Sequence, residues 1–321
     1  MADQTPIKSL KEGDAFTGYL LAQEAAFKVS SRGTEYLDLT LSDATGRVKA
    51  FLWDIKAIEG DMELVAPDAF LKVKGTVTTY NGRLQLKLDK LRFAPDAEIT
   101  DMSSFFPTSS IDIGEMLAEL DGFIASLKDP WLGKLAKKLL QDDKALRESL
   151  AKAPAAKHMH HVFVGGLLEH TLSITKMADM ACGNYTGMNR DLAVAACLLH
   201  DIGKTAELSY DRSYGYTDEG NLLGHISMEF AWVHDAIAGL AGFPEETRRQ
   251  LLHILLSHHG KLEFGSPVVP KTPEAILVHY LDDLDGKLAS IFASIQDDTG
   301  TGNWTPYNKS LERMIYKVRM G

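Results

Sequence analysis

Apolar and polar residues alternate at every second position through most of 15–93. In 35–42, Leu37, Leu39 and Leu41 share one side, and Tyr36, Asp38 and Thr40 share the other. In 47–53, Val48, Ala50 and Leu52 oppose Arg47, Lys49, Phe51 and Trp53. In 83–88, Leu84, Leu86 and Leu88 oppose Arg83, Gln85 and Lys87. A period of two predicts strands with one buried and one outer face. Turns are signalled by Ser31-Arg32-Gly33, by DATG at 43–46 and by YNGR at 80–83, whose Asn-Gly pair is the strongest short hairpin cue. About five strands, with a short helical stretch at 54–64 between the third and fourth, predict a small closed barrel. A connector rich in Pro, Ser and Asp follows. From 112 on the pattern changes to amphipathic helix almost throughout, as in LAELDGFIASL and WLGKLAKKLLQDDKALRESL. The expected organisation is an N-terminal all-β barrel of the OB type (1–95), a connector and helical segment (96–155) and an all-α domain (156–321).

The outer strand face carries candidate chemistry. Arg47, Lys49, Phe51 and Trp53 interleave cations with rings, Tyr36 lies on the neighbouring strand, and Lys72, Lys74, Arg83 and Lys87 add charge. Single-stranded nucleic acid needs both: rings that stack bases at about 1–3 kcal/mol each, and cations that follow the phosphates. The plainer reading puts Phe51 and Trp53 in a core or a domain contact, with the lysines as edge protection.

All 11 histidines lie beyond residue 157. His170, His200, His225, His258 and His259 sit on or beside apolar helical stretches, and ILVHYLDDLDGK adds Asp282, Asp283 and Asp285. One buried histidine is usually a satisfied core residue. Five in succession with carboxylates point to a metal, because buried imidazoles and carboxylates are costly unless paired or metallated. Imidazole with carboxylate suits borderline to hard divalent ions. In CLLHDIGK (197–204) the apolar helix stops where His200 and Asp201 can converge, with the carboxylate bridging two metals.

The order His170, His200-Asp201, Asp282 resembles the H…HD…D pattern of the HD-domain metal-dependent phosphohydrolases, and His225 and His258 resemble its two-metal version. HHVFVGGLLEHT (160–171), HDIGKT (200–205) and SHHGKLEFGSPVVPKTPEAILVHYLDDLDGK (257–287) are similar to the bacterial YhaM-type 3′→5′ exoribonucleases, which join an OB fold to an HD domain. In the last motif this chain carries Asp283–Gly286, where the resemblance leads one to expect an Asn and an Ala, and the departure adds negative charge beside Asp282. The resemblance implies His170, His200, Asp201 and Asp282 on one metal and His225 with His258 on the other, with His259 as the alternative. The metals would be Mn, Co, Fe or Mg. Lys204 would meet a substrate phosphate or serve as a helix-end cation. His160 or His161 would contact the scissile phosphate or protonate the leaving oxygen. The implied substrate is single-stranded RNA, with single-stranded DNA as the alternative. Two other readings are an HD-type nucleotide or cyclic-nucleotide phosphohydrolase, for which the barrel is superfluous, and a non-catalytic RNA-binding adaptor, for which the ligand set is too complete.

The net charge of −10 argues against non-specific coating of nucleic acid. Residues 1–95 are neutral, so the whole deficit lies in the helical part. No apolar run is long enough to span a bilayer, and the N-terminus reads as cytoplasmic. Cys182 and Cys197 read as buried free thiols. A homo-oligomer is compatible with the sequence.

Overall fold

The computed structural model describes residues 4–31, 33–99, 104–106, 109, 111–156, 163–209, 215–296, 298 and 300–317. Among them the chain forms two compact units, 1–107 with 291–321, and 108–290.

The first unit is built on strands β1 (Ala15–Val29), β2 (Glu35–Asp43), β3 (Gly46–Leu52), β4 (Ile58–Glu59), β5 (Phe70–Tyr80) and β6 (Arg83–Phe93). The sheet order is β3-β2-β1-β5-β6-β4, and a parallel β3–β6 pairing closes a five-stranded OB-type barrel. β1 makes closure possible. Ala15–Leu21 pairs with β5, Leu21–Val29 pairs with β2, and a register shift between Ala22 and Glu24 bends the strand from one neighbour to the other. The alternating residues read from the sequence fill the interior: Leu37, Leu39, Leu41, Ala50, Leu52 and Leu86 are all at most 1% exposed. Asn81 and Gly82 both have positive φ, +49° and +72°, which matches the twist of a two-residue hairpin.

The expected helix at 54–64 is instead two 3₁₀ turns, Ile55–Ala57 and Met62–Leu64, flanking β4. Asp54 and Asp61 each cap a turn, and Gly60, with φ +94°, separates them. The described residues beyond the last helix are not helical either. Thr305 N–H donates to the Ile315 carbonyl and Asn308 pairs with Arg313, so 303–317 doubles back on itself and clusters with the barrel.

The second unit is helical: α1 (Ile113–Ser126), α2 (Pro130–Lys137), α3 (Lys144–Lys152), α4 (Gly166–Asn184), α5 (Arg190–Leu199), α6 (Lys204–Glu207), α7 (Asp218–Leu223), α8 (His225–Ala238), α9 (Glu245–Ser257) and α10 (Pro273–Gln296). Met116, Leu120, Leu132, Leu135 and Leu150 bury their side chains in one core with α4, α5 and α9. The segment read as connector and helical stretch supplies three helices, α1 to α3, to this core. Cys197 is buried there, whereas Cys182 is only partly covered, and both are free. No helix among the described residues is long and apolar enough to cross a membrane.

Candidate metal centre and nucleic-acid interface

α5 is buried without interruption from Leu192 to Leu199 and stops at His200. There the ring Nδ1–H donates back to the Cys197 carbonyl at 2.9 Å, satisfying a carbonyl that the helix end leaves open. α9 ends in the same way, with His258 Nδ1–H donating to the Leu255 carbonyl at 2.8 Å. His259 Nδ1–H donates to the Phe264 carbonyl at 2.8 Å. A carbonyl only accepts, so in these three rings Nδ1 carries a proton and Nε2 is the atom left to face the site. Carboxylates hold the other two rings. His170 Nδ1 meets Asp285 at 2.7 Å, and His225 Nδ1 meets both oxygens of Glu207 at 2.9 and 3.0 Å. All five imidazoles are therefore anchored at Nδ1.

The five Nε2 atoms converge on Asp201. Its Oδ2 lies 3.1 Å from His200 Nε2 and 3.5 Å from His170 Nε2. Its Oδ1 lies 3.6 Å from His225 Nε2 and 3.7 Å from His258 Nε2. Asp282 Oδ1 completes the first group, 3.2 Å from His170 Nε2. His259 Nε2 joins the second, 3.4 Å from His225 Nε2. Two sets of ligand atoms result, each within 4.8 Å of one another: His170, His200, Asp201, Asp282; and Asp201, His225, His258, His259. His258 and His259 both place a ring nitrogen in the second set. Among the described residues, Asp201 Oδ1 and His258 Nε2 are buried without any hydrogen-bond partner. Orphaning such atoms costs free energy. A divalent ion is what an acceptor oxygen and imidazole lone pairs, aimed at one point, would bind, so the residues fit a metal.

The protonation states agree. Burial opposes charge on Asp201, yet His200 and Lys204 hold its carboxyl well below the usual range. Burial likewise opposes charge on Asp282, but the His170 hydrogen bond keeps it ionised. Burial and the neighbouring His259 and His200 push His258 well down, and burial with His225 lowers His259. These groups stand as metal ligation requires, with anionic carboxylates and neutral imidazoles. His170 differs: burial would lower it, but Asp282 and Asp285 lift it to about 9. Lys204 is buried against Asp201 Oδ2 at 2.6 Å, so here its ammonium serves the carboxylate.

On the barrel, Tyr36, Phe51 and Trp53 form one ring cluster on the outer face, outside the core. Tyr36 stacks on Trp53 with centroids 4.8 Å apart, and Phe51 lies 5.9 Å from Trp53. Lys87 stands opposite Phe51 in the β3–β6 register. Lys49 is shared between Glu24 at 3.1 Å and Asp38 at 3.5 Å, so this face is less positive than the sequence alone suggested. Lys72 and Lys74 lie farther along β5, beside Arg92 and Lys90, with Lys72 over the Tyr19 ring. Arg83 Nε bonds Asp298 at 3.1 Å. His160 and His161 lie outside the described residues.

The HD domain family matches residues 167–287, and an OB-fold nucleic acid binding domain family matches residues 26–94. The 3′-5′ exoribonuclease YhaM of Bacillus subtilis (strain 168) is 38% identical over 306 residues, which are 95% of this chain and 95% of that protein. The protein of the same name from Geobacillus sp. (strain WCH70) is 34% identical over 306 residues, 95% of this chain and 92% of its own. The chain belongs to the YhaM family.

For a YhaM-family chain, two site residues escaped the sequence reading, Glu207 and Glu229, and a third, Asp285, was read only as one more carboxylate beside Asp282. Glu207 and Asp285 orient metal-site imidazoles, and Glu229 is buried 3.7 Å from His258 Nδ1. Burial and the charge of Asp201 push the Glu229 carboxyl well above its usual range. A signal was present for each. Glu207 ends the helix that follows HDIGK, Asp285 lies three residues after Asp282, and Glu229 follows His225 by one helical turn.

Proposed function

We propose that this chain is a metal-dependent 3′→5′ exoribonuclease that hydrolyses single-stranded RNA at a two-metal HD centre, with the barrel's outer face gripping the strand. The observation that carries the reading is Asp201, a buried carboxylate whose two oxygens face two separate sets of imidazoles. His170, His200 and Asp282 would complete one ion, and His225, His258 and His259 the other. Divalent ions held there, Mn, Co, Fe or Mg, supply an acidified water and neutralise phosphate charge.

The protein's own part is positioning. Glu207, Asp285 and three backbone carbonyls fix the imidazole rings, so the ligand atoms need little reorganisation. Lys204 holds Asp201 ionised and contributes positive charge at the centre. The direction of attack and the RNA substrate rest on the named relatives. The rings of Tyr36, Phe51 and Trp53 support strand binding, since they lie stacked on an outer barrel face.

The test is a degradation assay. 5′-labelled single-stranded RNA and DNA are incubated with metal-stripped protein, then with each metal restored, beside Asp201→Ala. Stepwise shortening from the 3′ end that requires both metal and Asp201 is the expected result. Binding without cleavage under every metal would favour a non-catalytic adaptor.

A further inference from the structure

The metal centre and the barrel core leave the C-terminal loop, Asn303–Lys317, without a role. This loop is a built element. Thr305 is 1% exposed, Leu311 and Ile315 are buried, and Asn308 Nδ2 donates to Ser294 Oγ at 2.8 Å. The Asp298 carboxylate, its side chain 2% exposed, ties the loop to the β5–β6 hairpin. It accepts from Arg83 Nε at 3.1 Å and pairs with Lys317 Nζ at 2.8 Å. Between loop and barrel runs a groove of about 550 Å³. Lys49, Phe51, Tyr80 and Arg83 line it from the barrel, and Tyr307 and Asn308 line it from the loop.

Tyr307 is the telling residue. The loop around it is pinned by buried anchors, yet Tyr307 itself stays 61% exposed at the groove, and Tyr80 stays 66% exposed. A tyrosine there to hold the loop down would bury its ring. Fixed, exposed rings beside cations are what stacks bases while the phosphates meet positive charge, and the rigid mounting lowers the ordering cost of binding.

We propose that Asn303–Lys317 is the second wall of the strand-binding groove, and that Tyr307 stacks a base of single-stranded RNA held against β3 and the β5–β6 hairpin. The inference rests on the reading that the barrel grips the strand, and adds to it a wall that is not part of the barrel. Asp298 is then a positioning residue that keeps Arg83 and the loop in one frame.

The experiment uses the full chain, stripped of metal so that nothing is cleaved. Fluorescence anisotropy reads its affinity for a labelled single-stranded RNA. Tyr307→Ala should weaken binding by about five- to 150-fold, the range of one base stack. Tyr307→Phe keeps the ring and should bind as wild type. Trp304→Ala, on the same loop but outside the groove lining, should also bind as wild type. If Phe51→Ala weakens binding and Tyr307→Ala does not, the loop wall is wrong and the barrel reading stands. If neither weakens it, both are wrong. Equal losses in Tyr307→Ala and Tyr307→Phe would overturn stacking as the role of the ring.

Discussion

Glu207→Gln separates the two halves of the metal centre with the smallest change of shape. Glu207 Oε1 accepts from the His225 backbone N–H at 3.0 Å, and both carboxylate oxygens lie within 3.0 Å of His225 Nδ1. Burial opposes charge on Glu207, but His225 holds its carboxyl below the usual range, so the group is an anion. Glutamine keeps one acceptor oxygen and turns an NH₂ toward the other contact. Its oxygen at the Oε1 position can still accept from both donors, but the negative charge is gone and the NH₂ faces Nδ1–H where Oε2 had accepted. The lost charge-assisted bond is worth about 1.5–3 kcal/mol. Substitutions of this kind cost about 10–100-fold in metal affinity. The loss should fall on one ion only, because Glu207 holds His225, which belongs to the second set alone. The assay is equilibrium dialysis of the stripped protein against Mn, with bound metal counted per chain, beside the rate on labelled RNA. Wild type should bind two ions, and Glu207→Gln should bind one as before and the other about 10–100-fold more weakly. Two unchanged sites would show that His225 is not a ligand. Equal weakening of both would show that Asp201 does not divide the centre as described.

Asp201→Ala removes the carboxylate common to both sets and should abolish hydrolysis, with fewer than two ions retained at saturating Mn, as metal analysis would show. Gly203→Ala places a methyl group 2.3 Å from the His225 carbonyl oxygen. Such overpacking costs about 1–3 kcal/mol, so a lower melting temperature should accompany loss of the His225-side ion, read by calorimetry and metal analysis. Asp191 accepts from the backbone N–H of Lys128 and Asp129, and although burial opposes its charge, these donors and Arg190 hold its carboxyl below the usual range. A depressed folded pKa stabilises above the unfolded value of about 3.9 and loses that effect as pH falls toward the folded value. The gap in unfolding free energy between wild type and Asp191→Asn, about 1–2 kcal/mol by urea titration, should be constant from neutral pH down to about 5 and close below about 4. Arg47→Ala should lower the salt dependence of RNA binding by about 0.7 in log–log slope, the value for one phosphate contact on a single strand. An unchanged slope would place Arg47 off the strand's path.

The sequence by itself determined which faces are buried. Leu37, Leu39, Leu41, Ala50 and Leu52 point inward because a period of two leaves a strand no other way to bury one side. Asn81-Gly82 determined its hairpin by backbone sterics, and the spacing of His170, His200-Asp201 and Asp282 carried the metal chemistry through resemblance. These are local signals, or motifs whose spacing is preserved. The tertiary structure alone decided what depends on residues far apart in the chain. His170 is oriented by Asp285, 115 residues away, and Asp201 faces imidazoles from α4, α8 and the end of α9. Only packing reveals that Lys49 is shared with Glu24 and Asp38, and that Lys204 turns to Asp201. Only packing, too, places residues 303–317 against the barrel, since Asp298 meets Arg83 across 215 residues. A local pattern records which side of an element seeks burial. Which partner it finds there is set by the closure of the chain around a common core.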